Sequence, residues 1–159
     1  MKIRPATDAD RLPLFKLAVA MHAETDFRAL ALNPGKTLDS LGFWIASPNA
    51  VALLAEHDSA GPVGFFLAKI TAPWYSDEPA AVEDCFYVLP AHRGSRAAYG
   101  LVRAFLAWAK ERGALHARAG VSSGSGQAGE RLYEHFGMKN MGGNFVVHWN
   151  KERSHVLPG

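Results

Sequence analysis

The sequence predicts one α/β domain, a mixed, mostly antiparallel sheet flanked by about four helices. Three observations point there. Strand-like runs alternate with helical stretches, two adjacent apolar runs read as a β-hairpin, and 159 residues allow one domain, residues 1–159.

The elements follow in order. Ile3 to Ala6 is a short strand that ends at Thr7-Asp8-Ala9-Asp10, residues that favour a helix N-cap. Leu14, Leu17, Ala18 and Met21 then recur at helical spacing, and Pro13, tolerated only in a first turn, sets the cap near Asp10 rather than Thr7. Asn33-Pro34-Gly35 reads as a break, followed by a second helix from Thr37 to Ala46 that Ser47-Pro48-Asn49 closes. The runs Ala50 to Glu56 and Val63 to Ile70 form the hairpin, and a loop from Pro73 to Pro79 leads to a third strand, Ala81 to Leu89. Period-two alternation sets Val82, Asp84, Phe86 and Val88 on one of its faces and Glu83, Cys85 and Tyr87 on the other. After Pro90 the spacing turns helical: Ala98, Leu101, Val102, Phe105, Trp108 and Ala109 form one apolar stripe that Gly113 stops. Ala114 to Val121 is another strand, Ser122 to Gly126 a loop, Gln127 to Phe136 a short helix ended by Gly137, and Asn144 to Trp149 the last strand.

Composition narrows the function. Apolar residues make up 48% and charged residues 20%, as in an ordinary globular protein. Seventeen Lys and Arg against fifteen Asp and Glu leave +2, too little for a duplex-DNA binder. No apolar run approaches the roughly 20 residues of a membrane span, and Met1-Lys2-Ile3-Arg4-Pro5 opens no signal peptide. Cys85, the one cysteine, forbids an internal disulfide and fits a reducing compartment, so a cytoplasmic protein without nucleic-acid or membrane partners is expected.

Chemistry concentrates in Val88-Leu89-Pro90-Ala91-His92-Arg93-Gly94-Ser95-Arg96-Ala97-Ala98. A strand ends, the chain turns, and a long helix begins near Ser95. Its first turn offers unpaired N–H groups and partial positive charge, Arg93 and Arg96 add two cations, and Gly94, Ala97 and Ala98 are small enough to let a phosphate approach the backbone. The plainer alternative is a capped helix with two solvated arginines.

Val-x-Pro-x-x-Arg-Gly-x-x-x-Ala opening a helix after a hairpin and a third strand resembles the acetyl-CoA-binding motif of the Gcn5-related N-acetyltransferases (GNAT). In that family's Gln/Arg-x-x-Gly-x-Gly/Ala signature Arg93 matches the first position and Ala98 the last, while Arg96 stands where glycine is usual. Leu132-Tyr133-Glu134-His135-Phe136-Gly137-Met138 is similar to the family's Tyr-Glu-x-x-Gly-Phe helix end, although Gly126 and Gly129 replace an upstream Asn and Ala. The resemblance implies a GNAT-type fold with acetyl-CoA as cosubstrate and no metal. It assigns cofactor contacts to Phe86, Val88, Arg93, Gly94, Ser95, Arg96, Ala97, Ala98 and Tyr133. It also implies that the backbone N–H near Val88 faces the thioester oxygen and that Tyr133 is the general acid near the CoA sulfur. For the base, counting back from Val88 favours Asp84, the preferred residue, whereas residue identity favours Glu83, and a bulge would reconcile the two. The acceptor, a primary amine of a small molecule or peptide, is expected between His22 and Thr37 and at the Pro73–Pro79 loop of a monomer or homodimer. Arg96, Gly126 and Gly129 keep one rival in view: a non-catalytic acyl-CoA-binding or interaction domain of the same fold.

Other signals carry less. Gly124-Ser125-Gly126-Gln127-Ala128-Gly129 is a literal G-x-G-x-x-G, but only thirty residues follow it and the position about twenty residues on is Trp149 rather than an acid. Seven histidines form no His-x-x-x-His or His-Glu-x-x-His pair, no P-loop exists, and mid-strand Cys85 reads as a buried apolar side chain rather than a nucleophile. Trp74-Tyr75 is either a lid over the acceptor site or a cover on a sheet edge.

Overall fold

The computed structural model describes residues 1–121 and 126–142. Five strands lie in the order β1 (Lys2–Pro5), β2 (Ala50–His57), β3 (Gly61–Thr71), β4 (Ala80–Val88) and β5 (His116–Arg118). The first three neighbouring pairs are antiparallel, and β4–β5 is parallel. Helices α1 (Arg11–Glu24), α2 (Pro34–Ala46), α3 (Arg96–Glu111) and α4 (Gly126–His135) complete the described architecture. The expected strand at 144–149 and the loop residues 122–125 lie outside the described residues.

The helix stripes divide the core into two layers. On one face Leu101, Val102 and Phe105 of α3 are fully buried against Leu53, Phe66 and Val88, with Phe66 and Phe105 stacked at 4.5 Å between ring centroids. Tyr133 of α4 joins this layer. On the other face Leu14 and Leu17 of α1 and Leu41 of α2 cover Leu54, Phe65, Leu67 and Tyr87. A close approach ties α3 to the edge strand: a Cβ on Gly100 would fall 2.7 Å from Ile3 Cγ1, so only glycine lets the helix sit this near β1.

Local chemistry explains the ends. Buried Asp10 precedes α1 without bonding its N–H groups. Its carboxylate instead accepts two bonds from Arg4 at 2.7 and 2.8 Å and one from the Thr7 N–H at 2.8 Å, which fixes the turn that leads into the helix. The Arg4 bonds hold its carboxyl well below the usual range. The expected break at Asn33-Pro34-Gly35 is instead the start of α2. The Asn33 side chain accepts the Lys36 N–H at 3.0 Å and Pro34 occupies the first turn, where its missing N–H is harmless. β5 is shorter than Ala114 to Val121, because β4 leaves it after Val82.

Candidate active site

β4 carries the site, and its departure from regular alternation decides which residues meet. Leu67 pairs with Cys85 but Ala68 pairs with Glu83, leaving Asp84 as the extra residue of a β-bulge. The simple alternation is therefore corrected. Glu83 joins Phe86 and Val88 on the α3–α4 face, while Asp84 joins Cys85 and Tyr87 on the α1–α2 face. The same bulge coincides with the parting of the strands, since the β4–β5 register runs only from Ala80–His116 to Val82–Arg118.

Beside that gap, the Tyr133 hydroxyl donates to Glu83 Oε2 at 2.6 Å, and the Gly120 N–H donates to the same oxygen at 3.1 Å. Burial pushes the Glu83 carboxyl up to about 7, against the opposing effect of these two donors. Burial, followed by the adjacent carboxylate, drives the Tyr133 phenol far above its ordinary value, so it holds its proton. One strand pair further along, Leu89 donates to Val63 at 2.9 Å. By antiparallel alternation the preceding N–H, that of Val88, points off the opposite edge of β4, toward the gap.

The turn after β4 leads to the start of α3. Gly94 adopts φ +77°, a left-handed conformation that glycine reaches without steric cost. The Ser95 hydroxyl then accepts the Ala97 N–H at 3.2 Å as N-cap of α3. Ala97 is buried, Ala98 half-buried and Arg96 exposed. Arg93 is engaged within the chain: its Nε donates to the Val88 carbonyl at 3.1 Å, its Nη2 lies 2.5 Å from Glu24 Oε1, and its guanidinium stands 5.6 Å from the Tyr87 ring centroid. Glu24 also accepts the Tyr87 hydroxyl at 2.7 Å; that bond, then Arg93, lowers its carboxyl, while burial raises Tyr87 to about 12. No local motif marked Glu24, which closes α1 far from β4 in sequence.

Across the sheet, Asp84 accepts Trp44 Nε1 at 3.0 Å and Lys69 Nζ at 2.5 Å. Trp44 and Cys85 line a hollow of about 250 Å³ with Leu41, Phe65 and Leu67. It adjoins a second of about 290 Å³ formed with Phe27 and Leu30 of the α1–α2 connection, and Ala18, Met21, Lys36 and Thr37 border both. The segment expected to build the acceptor site, His22 to Thr37, contributes most of the second hollow. Trp74 and Tyr75 are 96% and 69% exposed and line neither hollow. Burial raises the Cys85 thiol to about 12, which leaves it protonated, as an apolar side chain should be. Among the described residues no three His, Cys, Asp or Glu side chains gather as metal ligands, and no helix is long and apolar enough to cross a membrane.

A mixed sheet that parts beside a buried phenol–carboxyl pair, just before a capped helix N-terminus, has the form of an acetyl-CoA-dependent N-acetyltransferase. The sequence matches the family described as "Acetyltransferase (GNAT) family" over residues 18–138. The chain belongs to the GNAT acetyltransferase family. No curated protein sequence matches it. Solved structures share its fold at low identity. The ribosomal-protein-alanine N-acetyltransferase of Brucella melitensis biovar Abortus 2308 is 21% identical with a TM-score of 0.66, covering 94% of this chain and 100% of that one. AAC(6')-Iy, in complex with the bisubstrate analogue CoA-S-monomethyl-acetylneamine, is 16% identical with a TM-score of 0.71, covering 94% and 97%. The aminoglycoside antibiotic 6'-N-acetyltransferase AAC(6')-IG of Acinetobacter haemolyticus is 22% identical with a TM-score of 0.68, covering 95% and 98%.

Proposed function

We propose that this protein moves an acetyl group from acetyl-CoA to a primary amine by direct attack on the thioester, with Tyr133 as general acid. The observation that carries the reading is the Tyr133–Glu83 pair beside the gap between β4 and β5. An ammonium acceptor first loses one proton to a carboxylate. Its nitrogen then attacks the thioester carbonyl, the carbon–sulfur bond breaks, and the departing thiolate takes the Tyr133 proton while the nitrogen releases its second proton to solvent in becoming an amide. The Val88 N–H, directed at the gap, stabilises the oxyanion on the carbonyl oxygen. Gly94, Ser95, Arg96, Ala97 and Ala98 hold the pyrophosphate at the start of α3, and Phe86 borders the pantetheine arm. Arg93 joins the phosphates by exchanging Glu24 for them.

Glu83 is the base this reading favours, because a carboxyl near 7 accepts a proton at neutral pH and still returns it to Tyr133. One observation favours Asp84 instead: it stands on the cleft side of the sheet, bonded to Trp44. The relatives' names speak of a ribosomal-protein alanine and of aminoglycosides, so amines of proteins and of small molecules both come into question as acceptors. A cytoplasmic setting agrees with the lone, protonated thiol.

The test is release of CoA thiol from acetyl-CoA in the presence of amines. Tyr133→Phe is expected to lower kcat by about 10²–10⁴-fold while acetyl-CoA still raises Tm. Glu83→Gln and Asp84→Asn, assayed in parallel, assign the base to whichever abolishes the pH dependence of the rate. Stabilisation by acetyl-CoA with no thiol release for any amine would replace the enzyme by a binding module.

A further inference from the structure

We infer that the acceptor is a small amine that carries its own carboxylate and an apolar side chain, an α-amino acid of the phenylalanine, leucine or tryptophan kind, with its carboxylate on Lys36; the inference rests on the transferase reading above. Three observations converge on the α1–α2 side of the sheet. First, the lining of the two adjoining hollows is largely apolar, with Lys36 its one Asp, Glu, Lys or Arg among the described residues. Lys36 borders both hollows, and no described group is bonded to its ammonium. His22 is occupied, its Nε2 lying 2.8 Å from the Leu30 carbonyl oxygen.

Second, no carboxylate is among the described residues that line either hollow. Asp84, bonded to the cleft's Trp44, is paired with Lys69, and Glu24, just beyond Met21 on α1, lines neither hollow. Asp26, on the exposed turn between the helices, is not among the lining residues. A polycation entering here would meet Lys36 and no carboxylate among the lining residues, which is repulsion that the lining does not offset. An anionic group meets the opposite situation. Third, the two hollows, about 250 and 290 Å³ and joined along Ala18, Met21, Lys36 and Thr37, form one cleft of a size that takes a single small ligand. One part holds an apolar side chain while Lys36, at the junction, meets a carboxylate. The substrate then lies with its side chain against Leu41, Trp44 and Leu67 and its nitrogen toward Cys85 and the bulge, where β4 presents the thioester.

The experiment compares CoA-thiol release at saturating acetyl-CoA for phenylalanine, leucine and tryptophan, for their carboxylate-free counterparts phenethylamine, isoamylamine and tryptamine, and for kanamycin and spermidine. At least one amino acid is expected to exceed its counterpart by about tenfold in kcat/KM, and both to exceed the polycations. Lys36 is exposed, so Lys36→Ala folds; it is expected to collapse the amino-acid preference through KM, while Lys110→Ala, at the far end of α3, leaves the preference intact. A polycation as best substrate, a carboxylate-free amine equal to its amino acid, or a preference unchanged in Lys36→Ala overturns the inference. If acetyl-CoA raises Tm and no amine yields thiol, the transferase reading fails on its own account. The cleft is then judged by titrating the amino acids into CoA-saturated protein. Binding that Lys36→Ala weakens about fivefold upholds the site, and absence of binding overturns it.

Discussion

Glu83 and Asp10 are both sequestered carboxyls, yet their surroundings act on them with opposite sign. Around Glu83 burial outweighs two hydrogen-bond donors, so its carboxyl rises from 4.5 to about 7. The folded state therefore binds a proton more tightly than the unfolded chain, and this residue's contribution to stability falls as pH rises from about 4.5 to about 7. The Tm of Glu83→Gln minus that of the native protein is expected to grow between pH 5 and pH 8, as thermal unfolding at both values will show. With Glu83 as base, kcat/KM rises through an inflection near 7 that Glu83→Gln removes and Asp84→Asn keeps. Asp10 behaves in reverse. Arg4 lowers its carboxyl, so it stabilises the fold above its ordinary value of 3.8, and that contribution is lost as acid protonates it. Removing its charge in Asp10→Asn weakens two charged hydrogen bonds and should cost about 1.5–3 kcal/mol in urea unfolding at pH 7.

At the scale of single elements, the β4 bulge does more than bend a strand. Since Asp84 is the extra residue, its deletion would restore regular pairing of Glu83 with Ala68 and Cys85 with Leu67. Such a deletion variant is expected to retain the Glu83–Tyr133 bond and lose only the contacts to Lys69 and Trp44, which separates the two carboxylates without altering either neighbour. The helices give a simpler prediction. Gly100→Val should overpack the contact with Ile3, costing about 1–3 kcal/mol and several degrees of Tm. How much the sequence disclosed follows the same local logic. The α3 stripe, the Ser95 start and the hairpin were readable because each is written in adjacent residues or in helical spacing. The start of α2 was not, because Asn33-Pro34-Gly35 serves equally as a break or as cap and first turn. Both candidate bases were visible in β4, but their faces depended on a bulge that the partner strand defines. The Tyr133–Glu83 and Arg93–Glu24 contacts join residues brought together only by tertiary packing, and no local pattern announces them.

Over the whole molecule, one sheet separates two compartments: a phenol–carboxyl pair and helix N-terminus on one side, an apolar cleft bordered by Lys36 on the other. Ligand linkage tests the first compartment directly. Acetyl-CoA at a hundred times its Kd should add about 2.7 kcal/mol of stability, a Tm rise of roughly 5–10 °C, with NAD producing none. The three-residue pairing of β4 with β5 also has a consequence for solvent exchange. Because β4 keeps β3 as a full-length neighbour but shares only Ala80 to Val82 with β5, its amides fall into two populations beyond the bulge. Those of Cys85 and Tyr87 are locked into the β3 ladder, whereas those of Phe86 and Val88 look into the gap. In deuterated buffer the first set should exchange slowly at all times and the second quickly until a ligand fills the gap. An alternating pattern of protection along one strand, evened out by acetyl-CoA, would register occupancy residue by residue without any turnover.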